Sequence, residues 1–449
     1  MTSVKLSTVL SAMSYALDLT EGQPLGHAGR SCLIGMRIAG ELQLSSFERS
    51  DLFYALLMKD AGCSSNAARI YQLFGGDDQP VKRGLWMRDW RSWREKVAFA
   101  LEWTEHGASA MKRVRQLATL AIAGPNSQRD VFAVRCDRGA NIARELGVSE
   151  PTAQAIRAMD EHWDGGGYPD GLRGEEIPLY ARIVGLAQVA EIYCGLGGPD
   201  AAIEVARRRR SRWFDPELVK ALRAIGSGDR VWHDMRAEDL ASAVSAAEPI
   251  EQAIPADESR LDRIAHAFAL VVDAKSSFTY HHSDRVAAMA EAIAGEMGLP
   301  EVERIRLRRA GLLHDIGKLS VPNRILDKAG KLDPDEWTIV KKHPFYTFEI
   351  LSRVPVFSEF AYDASNHHER VDGKGYFRGI GGDDLSLHAR ILATADIYDA
   401  LSAARPYRGA LPTGKVLSIL SEGRGTQLCS TTLDAVYALA ARDELIAGA

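Results

Sequence analysis

The chain has 449 residues, 46% of them hydrophobic and 26% charged. That length exceeds one ordinary domain and points to roughly two to four, and the composition is that of an ordinary globular protein. Its 55 basic and 60 acidic side chains leave a net charge of −5, which excludes a generally basic surface for nucleic acid, so no DNA partner is expected and an anionic substrate must be held by local metals or arginines.

The N-terminus, MTSVKLSTVLSAMSYALDLTEGQ, has one lysine and a weak apolar run with acidic residues soon after, which does not read as a signal peptide. Apolar residues recur every three or four positions in LIGMRIAGELQL (33–44), SAMKRVRQLATLAIAG (109–124), RIAHAFALVVDA (263–274) and RVAAMAEAIAGEMGL (285–299). Strand-like alternation is nearly absent, so the expected fold class is all-α. FGGDDQPVKRGLWMRDWRSW (74–93) reads as an aromatic, basic loop, and Arg207–Arg210 as a solvated helix face. RAEDLASAVSAAEPIEQAIPA (236–256) is acidic, alanine-rich and interrupted by prolines, as a linker or connecting helix would be. No segment approaches the ~18 apolar residues of a membrane span. Cys32, Cys63, Cys136, Cys194 and Cys429 are scattered without C-x-x-C spacing, which fits a reducing, cytoplasmic setting and argues against a thiolate zinc site.

The two halves repeat. LYARIVGLAQVAEIY (179–193) matches LHARILATADIYDAL (387–401), and EHWDGGGYPDGLRGEEI (161–177) matches ERVDGKGYFRGIGGDDL (369–385), both at an offset of 208. FYALLMKDAG (53–62) echoes RRAGLLHDIG (308–317), and GHAGR (26–30) echoes HHSDR (281–285), at an offset of about 255. The expected organisation is a degenerate copy over 1–235 with an insertion near 70–130, a linker over 236–256, and a second copy over 257–449.

The second copy gathers His282, His314-Asp315 in LLHDIGK, His343 in KKHP, His367-His368 in NHHERVDGKGY, and Asp396 in ILATAD. A helix that ends in adjacent His and Asp can aim both at one cation, and the carboxylate can bridge two. Adjacent histidines in a polar segment have little packing reason to exist. A carboxylate inside an apolar helix is costly unless paired or metal-bound, and Asp399, three residues on, can orient an imidazole or a helix partner. The donors are all nitrogen or oxygen and exceed the needs of one tetrahedral zinc. They suit two divalent metals, iron or manganese first, with zinc, nickel or magnesium also admitted. Two such metals, with a bridging hydroxide between them, carry out phosphoester hydrolysis. Asp315 and Lys318 are the candidate catalytic residues; Lys318 lies one turn beyond His314, where its ammonium can reach a phosphate. DGKGYFRG (372–379) is the candidate substrate loop, with Gly375 allowing close backbone approach, Tyr376 to stack on a base or bond a phosphate, and Arg370, Arg378 and Arg405 to pair with phosphate oxygens.

These motifs, together with DAKSSFTYHHSDRVA (273–287), LLHDIGKLSVPNRILDKAGKL (312–332), ILATADIYDAL (391–401) and RPYR (405–408), closely resemble the HD-GYP subgroup of the HD-domain metal phosphohydrolases. The resemblance implies two HD-domain-like helical bundles in tandem, the second with the intact ligand set. It implies one metal on His282, His314, Asp315 and Asp396, with Asp315 bridging to a second on His343, His367 and His368, and Lys318 on a substrate phosphate. Trinuclear members carry a glutamate four residues before the first histidine; here that residue is Phe278, so two metals are implied. The implied activity is hydrolysis of cyclic di-GMP to pGpG or GMP. The signature Gly-Tyr-Pro reads Gly375-Tyr376-Phe377, and this departure supports an alternative, a phosphohydrolase for another nucleotide or cyclic nucleotide. In the first copy the corresponding residues are Lys59-Asp60, Met159-Asp160 and Gln188, while His27 and Gly167-Tyr168-Pro169 are kept. No full metal pair is expected there, and Lys59 is placed to substitute for a cation. The degenerate copy motivates a third reading, a non-catalytic nucleotide-sensing or partner-docking protein, with a homodimer or signalling partner engaged through the first copy.

Overall fold

The computed structural model describes residues 4–88, 93–104, 109–226, 230–276, 281–328, 330–403 and 409–445. Among these the regular structure is helical, and extended backbone pairs only in isolated bridges such as Arg210–Phe214 and Arg424–Leu428. The chain forms two compact units, one of Met1–Arg260 with Pro322–Arg324 and one of Leu261–Val321 with Ile325–Ala449. The all-α, two-lobed fold is as expected.

In the first lobe His27–Glu41 packs against Ser46–Met58 and Leu179–Arg208. Ser45 and Glu48 form a capping box at the start of Ser46–Met58, each side chain satisfying the other's backbone N–H. The segment expected to be a loop is different in the structure: Ala67–Phe74, Asp78–Leu85 and Trp93–Trp103 are helices, followed by the 36-residue Ala110–Glu145. The reason is packing. Ile70, Leu73, Val81, Phe99 and Val131 form a small core of their own, with Phe74, Leu85 and Trp103 against it. Phe74, one of the aromatic residues read as loop character, ends the helix Ala67–Phe74 and packs on this core. Leu179–Arg208 differs from expectation too, because by length and composition it could cross a membrane. It breaks at Gly197-Gly198, and Ile183, Val184, Leu186, Val189 and Ile192 are buried within the lobe, which accounts for its apolarity.

In the second lobe His282–Glu296 packs against Glu301–Leu313 and Leu387–Ser402. Val286, Met289, Ala290 and Ile293 are its buried stripe at helical spacing, and His282, one turn earlier, lies on the same stripe. The two lobes reuse one close contact. A Cβ on Gly317 would lie 2.0 Å from the carbonyl oxygen of His343, and a Cβ on Gly62 would lie 1.9 Å from that of Arg135. Only glycine lets these backbones meet, and the shared contact pairs Arg135 with His343.

Candidate metal centre

Five chain segments bring the ligands together. His282 opens His282–Glu296, His314 closes Glu301–Leu313, and Asp315 precedes the short turn Ile316–Ser320. His343 opens His343–Ser352, with Pro344 in the first turn, where its missing N–H costs nothing. His367 and His368 follow Ser358–Ser365, and Asp396 lies within Leu387–Ser402. Apart from His368 and Asp396, which are partly exposed, these residues are buried.

Hydrogen bonds fix which nitrogen faces inward. His314 Nδ1 donates to the Gly311 carbonyl at 2.7 Å, His343 Nδ1 to Val340 at 2.8 Å, and His367 Nδ1 to Ala364 at 2.6 Å. A carbonyl only accepts, so each ring carries its proton on Nδ1 and turns the Nε2 lone pair to the centre. His282 Nδ1 is held by Asp399 Oδ2 at 2.7 Å, and Arg285 Nε donates to Asp399 Oδ1 at 2.5 Å. Asp399 is the imidazole-orienting carboxylate.

Asp315 stands between two pairs of imidazoles. Its Oδ2 lies 3.6 Å from His282 Nε2 and 3.3 Å from His314 Nε2. Its Oδ1 lies 3.4 Å from His343 Nε2 and 3.6 Å from His367 Nε2. Asp396 Oδ1 is 3.4 Å from His282 Nε2, and its Oδ2 is 4.0 Å from His368 Nδ1. Asp315 with His343, His367 and His368 forms one group of donors within 4.8 Å of one another, and His282, His314 and Asp315 form a second. Donors about 2.1 Å from a shared cation lie about 3.0–3.4 Å apart, so the spacing fits a metal on each side of Asp315. Buried His314 Nε2 and Asp315 Oδ1 have no hydrogen-bond partner, as expected of atoms whose partner is a metal. The cluster is binuclear in its donor set.

The electrostatics agree. Burial pushes His343 down to about 3, and burial with the neighbouring His367 and His343 pushes His368 well below the ordinary histidine range. Both stay neutral, with a lone pair to give. Asp315 and Asp396 are held well below the ordinary carboxylate range because the surrounding histidines, joined at Asp315 by the Lys318 ammonium, outweigh burial. His282 goes the other way: despite burial, hydrogen bonds to Asp315, Asp396 and Asp399 raise it.

The remaining predicted residues divide. Lys318 Nζ pairs with Asp315 Oδ2 and stays partly exposed at the rim. Tyr376 stacks on His368 with ring centroids 4.7 Å apart. Gly375 approaches the Glu369 backbone so closely that a Cβ would lie 2.4 Å from its Cα. Arg370 is occupied by Asp372, at 2.9 and 2.7 Å. Arg378 lies among aromatic rings, with its guanidinium 4.2 Å from the Phe377 ring. Arg405 and Phe278, the latter bearing on two metals against three, lie outside the described residues.

Two features were missed in the sequence. Buried Glu369 accepts from the backbone N–H groups of Arg378 at 2.6 Å and Gly379 at 3.1 Å, pinning the 372–379 loop. Its first-lobe counterpart Glu161 does the same with Asp170, Gly171 and Leu172. The 208-residue repeat contained this signal. It contained the second as well, because the same offset pairs Arg135 with His343.

Arg135 stands in the first lobe where the second has His343, and it faces the carboxylates of the degenerate cluster. Its guanidinium lies 3.5 Å from Asp60 and 3.3 Å from Asp160, while Lys59 Nζ pairs with Asp60 from the other side. His27 and Arg30 grip Glu191 as His282 and Arg285 grip Asp399. Two side-chain cations thus neutralise the carboxylates of the degenerate cluster. Against burial, Lys59, His27 and Arg135 hold Asp60 below its ordinary range. Glu21, Asp60 and Cys63 also converge, but burial raises the Cys63 thiol well above its usual range, so it is a poor ligand.

The HD-domain family model matches residues 89–218 and 267–430. The 3'3'-cGAMP-specific phosphodiesterase 3 of Vibrio cholerae is 43% identical over 94% of this chain and 92% of its own. The cyclic di-GMP phosphodiesterase response regulator RpfG of Xanthomonas campestris pv. campestris is 36% identical over 43% of this chain and 50% of its own. The crystal structure of a cyclic GMP-AMP-specific phosphodiesterase of V. cholerae, V-cGAP3, aligns with a TM-score of 0.67 at 39% identity over 98% of each chain.

Proposed function

The chain belongs to the HD-domain family of metal-dependent phosphohydrolases, and from that membership we propose that it opens cyclic dinucleotides by phosphodiester hydrolysis, with 3'3'-cGAMP the preferred substrate. The observation that carries the reading is Asp315, whose two oxygens face separate histidine pairs. Divalent metals bound there supply charge stabilisation to a phosphoryl oxygen and lower the pKa of water.

The protein's own groups do the rest. His282, His314 and Asp396 would hold one metal, and His343, His367 and His368 the other, with Asp315 shared. Asp399 and the Gly311, Val340 and Ala364 carbonyls keep the imidazoles aimed. Lys318, at the rim, places a positive charge beside the scissile phosphate and offsets the negative charge that grows in the transition state. Tyr376 forms a wall over His368.

The alternative substrate, another cyclic nucleotide, is better supported than cyclic di-GMP. The relative named for 3'3'-cGAMP matches across both lobes, whereas the cyclic di-GMP relative matches 43% of the chain. Steady-state turnover of 3'3'-cGAMP, cyclic di-GMP and cyclic di-AMP by manganese-loaded enzyme tests this. The expected result is the highest kcat/KM for 3'3'-cGAMP. A higher value for cyclic di-GMP would restore the expectation drawn from the motifs, and turnover of none would overturn the reading.

A further inference from the structure

Arg378 occupies a box of three aromatic rings. Its guanidinium carbon lies 4.2 Å from the Phe377 centroid, 4.7 Å from Phe348 and 5.0 Å from Tyr362. Among the described residues no carboxylate forms an ion pair with it, and Glu369, which packs under the same loop, spends one oxygen on the backbone N–H groups of Arg378 and Gly379. Burial lowers the affinity of this guanidinium for its proton relative to an ordinary arginine, as expected of a cation held by rings and not by a counter-ion.

The box is built at a conformational cost. Phe377 has φ of +96°, a region that bulky side chains rarely adopt and that strains the backbone. Phe377 is also the residue that stands where the repeat's first copy has Pro169. Its ring covers Arg378 on one side and meets Phe345 at 6.0 Å on the other.

The box is built on the segments that carry the metal ligands. Phe348 is five residues along the His343–Ser352 helix from His343, and Tyr362 is five residues before His367. Phe377 follows Tyr376, whose ring stacks on the His368 imidazole 4.7 Å away, so the box adjoins the ligand edge, on the side a nucleotide base would take when its phosphate lies at the cluster. Two exposed rings line the intervening surface: Trp337, 44% exposed and 6.0 Å from Tyr376, and Phe345, 42% exposed. Exposed rings beside a phosphate site are stacking platforms for bases.

We infer that Arg378 is a specificity-determining residue that reads guanine, with Phe348, Tyr362 and Phe377 holding its guanidinium in the plane of the base. A guanidinium donates in parallel to guanine O6 and N7, while adenine presents an amino donor where O6 would be. One guanine of a cyclic dinucleotide is recognised here; the second base is not. This role differs from the phosphate contact expected of Arg378 from sequence, and it rests on the cyclic-dinucleotide reading above.

The test compares kcat/KM of the wild type, Arg378→Met and Arg378→Lys on 3'3'-cGAMP, cyclic di-GMP, cyclic di-AMP and the base-free diester bis(p-nitrophenyl) phosphate. Metal content and turnover of the base-free diester report that each variant is folded and loaded. The expected result is a fall of roughly 5- to 150-fold in the ratio of guanine-containing substrates to cyclic di-AMP, the range of one bidentate base contact. Lysine, a point charge without the planar fork, is expected to recover little of it. Should Arg378→Met fail to load metal, Phe377→Pro, which opens the box, gives the same readout. A wild-type ratio in a loaded variant overturns the inference. Wild-type enzyme that cleaves the base-free diester but no cyclic dinucleotide overturns the substrate reading instead.

Discussion

Replacing Asp315 by alanine is expected to remove cyclic-dinucleotide hydrolysis and most of the bound metal together. Each oxygen of this carboxylate faces a different pair of imidazoles, so one substitution strips a ligand from both metals. Metal assistance of this kind contributes several kcal/mol to phosphoryl transfer, and about 4 kcal/mol corresponds to a thousandfold in rate. A fall in kcat/KM of at least about a thousandfold, with metal content dropping from two equivalents to one or fewer, is therefore the expected result. Asp315→Asn keeps the shape but loses the charge, so it is expected to retain some metal while remaining nearly inactive. Kinetics and elemental analysis on the same preparations make the check. Full metal content in an inactive Asp315→Ala would mean that the carboxylate acts otherwise than as a bridge.

Arg135→Met is expected to destabilise the first lobe by about 3–5 kcal/mol, the usual cost of leaving a buried carboxylate, here that of Asp160, without its cationic partner. Asp60 and Asp160 both lie within 3.5 Å of the guanidinium and are almost fully buried. Arg135 also lies 5.6 Å from the Trp86 ring, a contact methionine does not reproduce. Differential scanning calorimetry resolves the effect. The transition of the first lobe is expected to fall in temperature, and manganese is expected not to restore it, because Lys59 and Arg135 already pair with the carboxylates there. An unchanged transition, or rescue by manganese, would contradict this account of the degenerate cluster.

Much of the second-lobe site was legible because its chemistry is costly anywhere else. His367-His368 in a polar stretch and Asp396 in an apolar helix have no cheap structural explanation, and the structure brings both into the cluster. The helical class was legible from periodicity in stretches such as 285–299, where Val286, Met289, Ala290 and Ile293 form the buried stripe. What escaped depends on distant parts of the chain. The three carbonyls that aim His314, His343 and His367 are each three residues upstream, and a backbone acceptor carries no residue signature. Arg135 lies in an arginine-rich helix, where only the position of its partner in the repeat distinguishes it. The 74–93 segment read as a loop because its glycines and charges dominate locally. Val81 and Leu85 become meaningful only once Phe99 and Trp103 fold over them. The box around Arg378 draws rings from three segments, and Phe377 drew attention only as a missing proline.

The central claim is that two metals, shared across Asp315, carry the hydrolysis. It is tested most directly by stripping the protein with a chelator under reducing, oxygen-free conditions and titrating manganese back while following 3'3'-cGAMP cleavage. The account predicts no activity in the stripped enzyme and recovery that is complete only at two equivalents per chain. Activity that survives removal of the metal, or that is complete at one equivalent, would contradict it.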